Sequence, residues 1–236
     1  MGVSINTNKT LGVGSGSRII APQTSAFTNT KSVEFDGTND YISLSSATTH
    51  SDNLSVSFWI KGENVGLCNV FGGTGLFQFF GSNDNSGHFR IYNQTAGGWK
   101  NIMLNFFDNT WKHAVLTVEN KSTVKAYADG VLQSTHTFGG NPMNSSTINR
   151  IAKYGQSDIR FFGGKIDEIG LFNSTLTQSE ITAIYNSGTP NDLSGYTSLI
   201  NWWRFEEGSG TTATDSGSGG NDGTLTNGIA YSSDVP

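Results

Sequence analysis

A single cysteine, Cys68, in a chain of 236 residues excludes an internal disulfide framework. Beside Leu67 it reads as a small buried apolar residue rather than a nucleophile. Prolines number only four, and no apolar run is long enough to cross a bilayer, so no membrane-spanning helix is expected. Charge is scarce as well: 14% of residues are Asp, Glu, Lys or Arg, with a formal net charge of -5. Blocks of Lys or Arg are missing, which argues against a surface that tracks nucleic-acid phosphates. The first ten residues, Met1 to Thr10, carry no apolar stretch and no cleavage motif, so the expectation is a chain made and folded in a cytoplasm. The four histidines, His50, His88, His113 and His136, show neither metal-ligand spacing nor a neighbouring serine motif.

What the chain does have is glycine, thirty of them, with abundant Ser, Thr and Asn and 11% aromatic residues. That composition fits short strands joined by tight turns, and the length suffices for one generous all-β domain or two small ones. Residues 1–30 are polar and aperiodic, and are expected to form an extended arm with contacts to other molecules rather than part of a core. From Lys31 alternation sets in. Val33 and Phe35 share a face, Asp36-Gly37-Thr38-Asn39-Asp40 makes a turn, and Leu54, Val56, Phe58 and Ile60 line one side of a strand. Further short strands follow at Val70-Phe71, 76–80, 88–92 and 99–106. The segment 111–119 pairs naturally with 123–128, and Asp129-Gly130 suits a turn whose two central residues take positive φ. Strands at this spacing predict a sandwich rather than βαβ units. One helix is predicted, over about Gln178–Asn186: Thr177 and Glu180 form a capping box, Ile181, Ile184 and Tyr185 share a face, Gly188 suits the left-handed end and Pro190 bars continuation.

Four segments, in order, carry a family resemblance. Val33-Glu34-Phe35-Asp36-Gly37-Thr38-Asn39-Asp40-Tyr41-Ile42 resembles an opening F-D-G-x-x-D-Y-V strand and turn, and Leu54 to Lys61 a T-V-S-F-W-V-K core strand. Trp111 to Val115 with Tyr127 to Gly130 resembles a W-H-x-V … Y-V-D-G hairpin, and Gly164 to Glu180 a G-x-I-D-E-V … L-S-x-x-E-I strand and helix. Together they are similar to laminin-G-like domains, which implies an all-β fold: a concanavalin A-like jelly-roll β-sandwich with one short helix. The segment around Trp202-Trp203-Arg204-Phe205 and Asn221-Asp222-Gly223 resembles the strand and turn that usually precede the F-D-G strand, yet here it follows the helix. The expected organisation is therefore an arm over 1–30 and a jelly roll over 31–236. Residues 31–188 are its core and 196–236 its circularly permuted edge strands, with a truncated second repeat or pairing in trans as the competing readings.

The resemblance carries expectations about chemistry. Laminarinase-type relatives need a Glu-x-Asp-x-(x)-Glu carboxylate set, and here Glu34-Phe35-Asp36 lacks its third member. Asp167 and Glu168 are adjacent, so in a regular strand they point to opposite faces. No enzymatic activity is expected. Calcium, held by related domains near the sandwich rim, would fall to Asp36, Asn39, Asp40 and Asp167, against the alternative that Asp36 and Asn39 merely build an Asx turn. For sugars, Tyr92, Asn93, Gln94 and Trp99 supply stacking rings and amides, unless Trp99 belongs to the core. The expected role is a structural protein of a virus particle, such as a phage capsid-decoration or fibre-type protein located on the virion. It would contact other virion proteins or copies of itself through residues 1–30, with possible glycan adhesion to a host surface. The alternative is an extracellular or cell-surface bacterial lectin or adhesin module.

Overall fold

The computed structural model of the protein describes residues 27–49, 52–62, 67–72, 79–81, 88–93, 98–105, 108–138, 147–155 and 157–236; between 79 and 105 the description is of backbone pairing. Most of the expected arm, residues 1–26, lies outside the described residues, as does Gln94.

Two antiparallel sheets face each other. The first is built from β1 (Ser32–Asp36), β3 (Leu54–Gly62), β8 (Lys112–Glu119), β9 (Thr123–Ala128), β10 (Val131–Thr137), β12 (Gly163–Phe172), β13 (Leu199–Trp203) and β16 (Ala230–Ser232). Its order is β10-β9-β8-β3-β12-β1-β16, with β13 also paired to β12. The second runs β14-β15-β2-β11-β4-β5-β6-β7, from β2 (Tyr41–Thr49), β4 (Asn69–Gly72), β5 (Phe79–Gly81), β6 (His88–Asn93), β7 (Gly98–Asn105), β11 (Thr147–Ile151), β14 (Thr212–Ala213) and β15 (Gly223–Thr226). This is a jelly-roll sandwich of the expected class. Its core follows from alternation: Leu54, Val56, Phe58 and Ile60 of β3 point between the sheets and meet Ile42, Phe71 and Ile151 from the other side, all buried. Cys68 is part of this core.

The opposite phase of β3 is buried too, because a second layer covers it. Helix α1 (Gln178–Tyr185) and the segment after it pack Ile181, Ile184, Leu193 and Tyr196 onto Val115, Tyr127 and Phe172 on the outer face of the first sheet. Thr177 and Glu180 form the capping box that the sequence predicts, and Ile181 and Ile184 are the buried pair. The helix ends earlier than Gly188: Asn186 already takes φ 46, and its amide closes the last turn on Thr182. An Asn side chain tolerates the left-handed region well enough to take over the cap. Under this layer, Tyr185 stacks on Trp59 at 6.0 Å between ring centroids, and Ser57 Oγ meets His113 Nε2 at 2.8 Å. Complete burial drives the His113 imidazole down to about 3, so it is neutral and structural.

The tight turn at Asp129-Gly130 has φ 49 and 77, the two positive values its hairpin requires. Residues 199–232 complete both sheets within the same chain. β13 adds to β12, β16 to β1, and the β14–β15 hairpin to β2. Trp203, Phe205 and Leu225 thereby enter the main core, where a large apolar side chain contributes roughly 1.5–3 kcal/mol.

Candidate ligand-binding site

Three neighbouring strands set up a cleft at one end of the first sheet. Cross-strand register places Glu34 of β1 opposite Lys165 of β12, and Lys165 opposite Lys61 of β3. Their neighbours Phe35, Ile166 and Ile60 are buried in the core, so these three charged side chains stand on the outer face. On β3 the outward positions Ser55, Ser57 and Trp59 lie beneath the helical layer; Lys61 is the next one along. There a cleft of about 240 Å³ opens, lined by Glu34, Phe35, Asp36, Lys61, Asn109, Gly163, Gly164 and Lys165. One lining position is glycine by necessity. Gly164 has φ +132, and a Cβ there would stand 2.4 Å from the Lys61 carbonyl oxygen.

The chain after β16 comes back to this cleft. Asp234 Oδ2 accepts from Lys61 Nζ at 2.8 Å and Lys165 Nζ at 2.7 Å, while Trp111 Nε1 donates to Oδ1 at 2.9 Å. The Lys165 and Lys61 ammonium groups hold the Asp234 carboxyl well below the usual carboxylate range. Lys165 also lies 3.9 Å from Glu34.

The residues named for calcium are only partly brought together. Asp36 Oδ1 accepts from the amides of Thr38, Asn39 and Asp40 at 2.8, 3.2 and 3.4 Å, an Asx-type turn that lowers its carboxyl, the Thr38 amide foremost. Asp40 Oδ2 accepts from the Asp36 amide, and burial raises the Asp40 carboxyl; its Oδ1 has no hydrogen-bond partner among the described residues. Asp167 does not join them. Asp36 sits opposite Gly163, and Asp167 lies four residues farther along β12, about 13 Å at strand spacing. No group of three or more His, Cys, Asp or Glu side chains suited to a metal occurs among the described residues. The four-residue set therefore does not fit one coordination sphere.

Asp167 instead belongs to a buried seam. The regular-strand expectation of opposite faces for Asp167 and Glu168 fails, because Glu168 takes φ 48 at a register shift in β12. Both carboxyls thus reach the same outer layer. Asp167 Oδ2 accepts from Asn29 Nδ2 at 2.9 Å; Glu168 Oε2 accepts from Trp202 Nε1 at 2.6 Å and its Oε1 from Arg204 Nε at 3.3 Å. Burial raises both acids, Asp167 well above its usual range and Glu168 to about 8. Residues 27–31 seal the seam. Phe27 stacks on Trp202 at 6.2 Å, Arg204 lies over both rings and donates to the Thr28 carbonyl, and Glu206 accepts from the Thr30 and Lys31 amides at 2.7 and 3.0 Å.

The residues named for sugar stacking lie on the second sheet. Tyr92 of β6 sits opposite Trp99 of β7, and Asn93 opposite Gly98, while Gln94 is outside the described residues. Sequence reasoning missed Lys61, Lys165, Asn109, Trp111 and Asp234. The one available signal was outward phase: Lys61 and Lys165 stand at polar positions in strands whose other phase is apolar. Their convergence on Asp234 depends on pairing across more than a hundred residues.

A model of the concanavalin A-like lectin/glucanases superfamily matches residues 36–182. Among curated proteins no relative matches. Among solved structures, a candidate carbohydrate binding protein from Bacteroides ovatus superposes with a TM-score of 0.65 at 17% identity, over 87% of this chain and 60% of its own. The chain thus spans less than two thirds of that protein. A heptameric SAP-like pentraxin from Limulus polyphemus superposes with a TM-score of 0.63 at 13% identity, over 86% of this chain and 94% of its own. With the sandwich, the four motif segments and a family match over well more than half of its length, the chain belongs to the concanavalin A-like lectin/glucanases superfamily.

Proposed function

We propose that the protein is a non-catalytic, lectin-like module that binds glycans in the cleft between β1, β3 and β12. The lining of that cleft carries the reading. Lysine ammonium groups, the Asn109 amide and the Glu34 and Asp36 carboxylates offer donors and acceptors around a shallow floor, the combination that a polyhydroxylated ring satisfies. The fold itself hosts both lectins and glucanases, so the site has to decide between them. Glycoside hydrolysis needs one carboxyl held protonated as an acid opposite a second carboxylate. In the cleft Asp36 is held ionised by backbone amides, whereas the raised pair Asp167 and Glu168 is sealed beneath Trp202 and residues 27–31. The Bacteroides ovatus relative, a candidate carbohydrate binding protein, supports the same class. An extracellular or cell-surface location goes with it.

A second reading keeps the glycan site and adds an assembly role, as a decoration or fibre-type subunit of a phage particle anchored through residues 1–30. The docking of residues 27–31 on Asp167, Arg204 and Glu206 favours it, since it fixes where such an arm would leave the sandwich.

The deciding experiment is a glycan-array screen of the wild-type protein and of the Lys61→Ala, Asn109→Ala double variant. Binding to a defined glycan class that the double variant loses is the expected result. Binding that survives in the double variant, or no binding to any glycan, would overturn the assignment.

A further inference from the structure

The residues around Asp234 make up a carboxylate receptor that the chain fills with one of its own side chains. Three donors from three different strands or loops converge on one carboxyl: Lys61 Nζ and Lys165 Nζ at 2.8 and 2.7 Å on Oδ2, and Trp111 Nε1 at 2.9 Å on Oδ1. Both oxygens are thus engaged, from charged donors on one side and a rigid indole N–H on the other, the arrangement that gives charge-assisted hydrogen bonds their directionality. Both lysines also line the 240 Å³ cleft, so whatever occupies the cleft sits beside this receptor.

Two features of the occupant mark it as exchangeable. Asp234 lies beyond the last ladder pair of β16, which ends at Ser232 opposite Ser32. Its side chain remains 35% exposed, while the Lys165 side chain that holds it is only 17% exposed. The receptor is therefore set into the sheet and its ligand lies on top. Local hydrogen bonds hold the backbone there, from Ser32 Oγ to the Asp234 carbonyl and from the Asp234 amide to Ser232 Oγ.

We propose that Lys61, Lys165 and Trp111 recognise the carboxylate of an acidic sugar, a uronic acid residue, and that Asp234 occupies the same place in the free protein. The rest of the cleft says sugar rather than peptide. It presents the Glu34 and Asp36 carboxylates and the Asn109 amide to hydroxyl groups. At about 240 Å³ the cleft is below the roughly 300–1,000 Å³ of pockets that enclose drug-sized ligands, which suits one ring of a longer chain. Glu34 supplies selectivity: 3.9 Å from Lys165, it repels a second negative charge and limits the site to a singly charged group.

This inference rests on the glycan-binding reading, and its test separates the two. The probes are a galacturonic acid trisaccharide and its methyl ester, titrated calorimetrically into the full chain, with Asp234→Asn, Trp111→Phe and Lys61→Ala, Lys165→Ala variants alongside. A tethered side chain competes at an effective concentration in the millimolar range, so Asp234→Asn should tighten acid binding by about tenfold or more and raise the preference for acid over ester. The double-lysine variant should lose the preference for the acid. Trp111→Phe, which deletes only the N–H, should weaken the acid and not the ester, and it keeps the test valid if the lysine variant is unstable. Equal binding of acid and ester, unmoved by Asp234→Asn, overturns this inference and leaves the glycan reading standing. Failure of both probes, together with an empty glycan array, overturns both.

Discussion

Glu168 offers a stability measurement whose sign follows from its surroundings. It is 3% exposed, at a left-handed position of β12, with Trp202 Nε1 and Arg204 Nε as its donors. Burial outweighs the Arg204 charge and raises its carboxyl from 4.5 to about 8. In the unfolded chain it titrates normally, so across the range between those two values the native state binds more protons than the unfolded one. Stability from this group is fully present below about pH 4.5 and is lost as pH rises towards 8. Between pH 5 and pH 8 one carboxyl with those two values forfeits roughly 3.5 kcal/mol. Glu168→Gln keeps the shape and an acceptor for Trp202 but cannot ionise. The variant should match the wild type within about 1 kcal/mol at pH 5 and exceed it by roughly 3 kcal/mol at pH 8. Asp167 is raised in the same direction, partly by the Glu168 charge itself, so the variant also relieves Asp167 and the two effects add with the same sign. Urea unfolding followed by tryptophan fluorescence at pH 5, 6, 7 and 8 measures this. Parallel pH dependences for the two proteins, or a wild type that gains on the variant as pH rises, would refute the account of a buried, proton-holding Glu168.

Three further outcomes are expected. Glu206→Ala removes the acceptor for Thr30 and Lys31, so the amides of those two residues should exchange with deuterium markedly faster while the core strands keep their protection; unchanged exchange would mean that residues 27–31 are held by something else. Thr177→Ala breaks a capping box that closes on both sides and should cost about 1 kcal/mol in chemical denaturation, with Thr177→Ser recovering most of it. Chelation with EDTA should leave glycan affinity within about twofold, because the Asp36 oxygen of the rim turn is already committed to three amides; loss of binding on chelation would return calcium to the site.

The site was less legible than the fold. Asp36, Asn39 and Asp40 stood out as a ligand cluster because Asp-rich turns and metal loops share composition; which of the two forms depends on whether backbone amides reach the oxygens first, and at Asp36 they do. The resemblance to calcium-holding domains groups Asp167 with them, and the β1–β12 register separates it. The two-face expectation for Asp167 and Glu168 assumed a regular pleat, and a single residue at positive φ moved one carboxyl across the sheet. Lys61 and Lys165 stand at outward polar positions of their strands, and only the fold brings Asp234, 173 and 69 residues away in sequence, between them.

What the sequence alone determined is local and periodic. The period-two apolar pattern specified β3 and its buried face, Asp129-Gly130 specified a turn with two positive φ values, and Thr177 with Glu180 specified where the helix begins, since each is governed by residues a few positions apart. Only the tertiary structure decided which strands neighbour which, that residues 199–232 close both sheets, and that two lysines and an indole meet around one carboxylate. Those outcomes are set by long-range register and by which surfaces remain uncovered once the helical layer has packed, and neither quantity exists until the chain has folded.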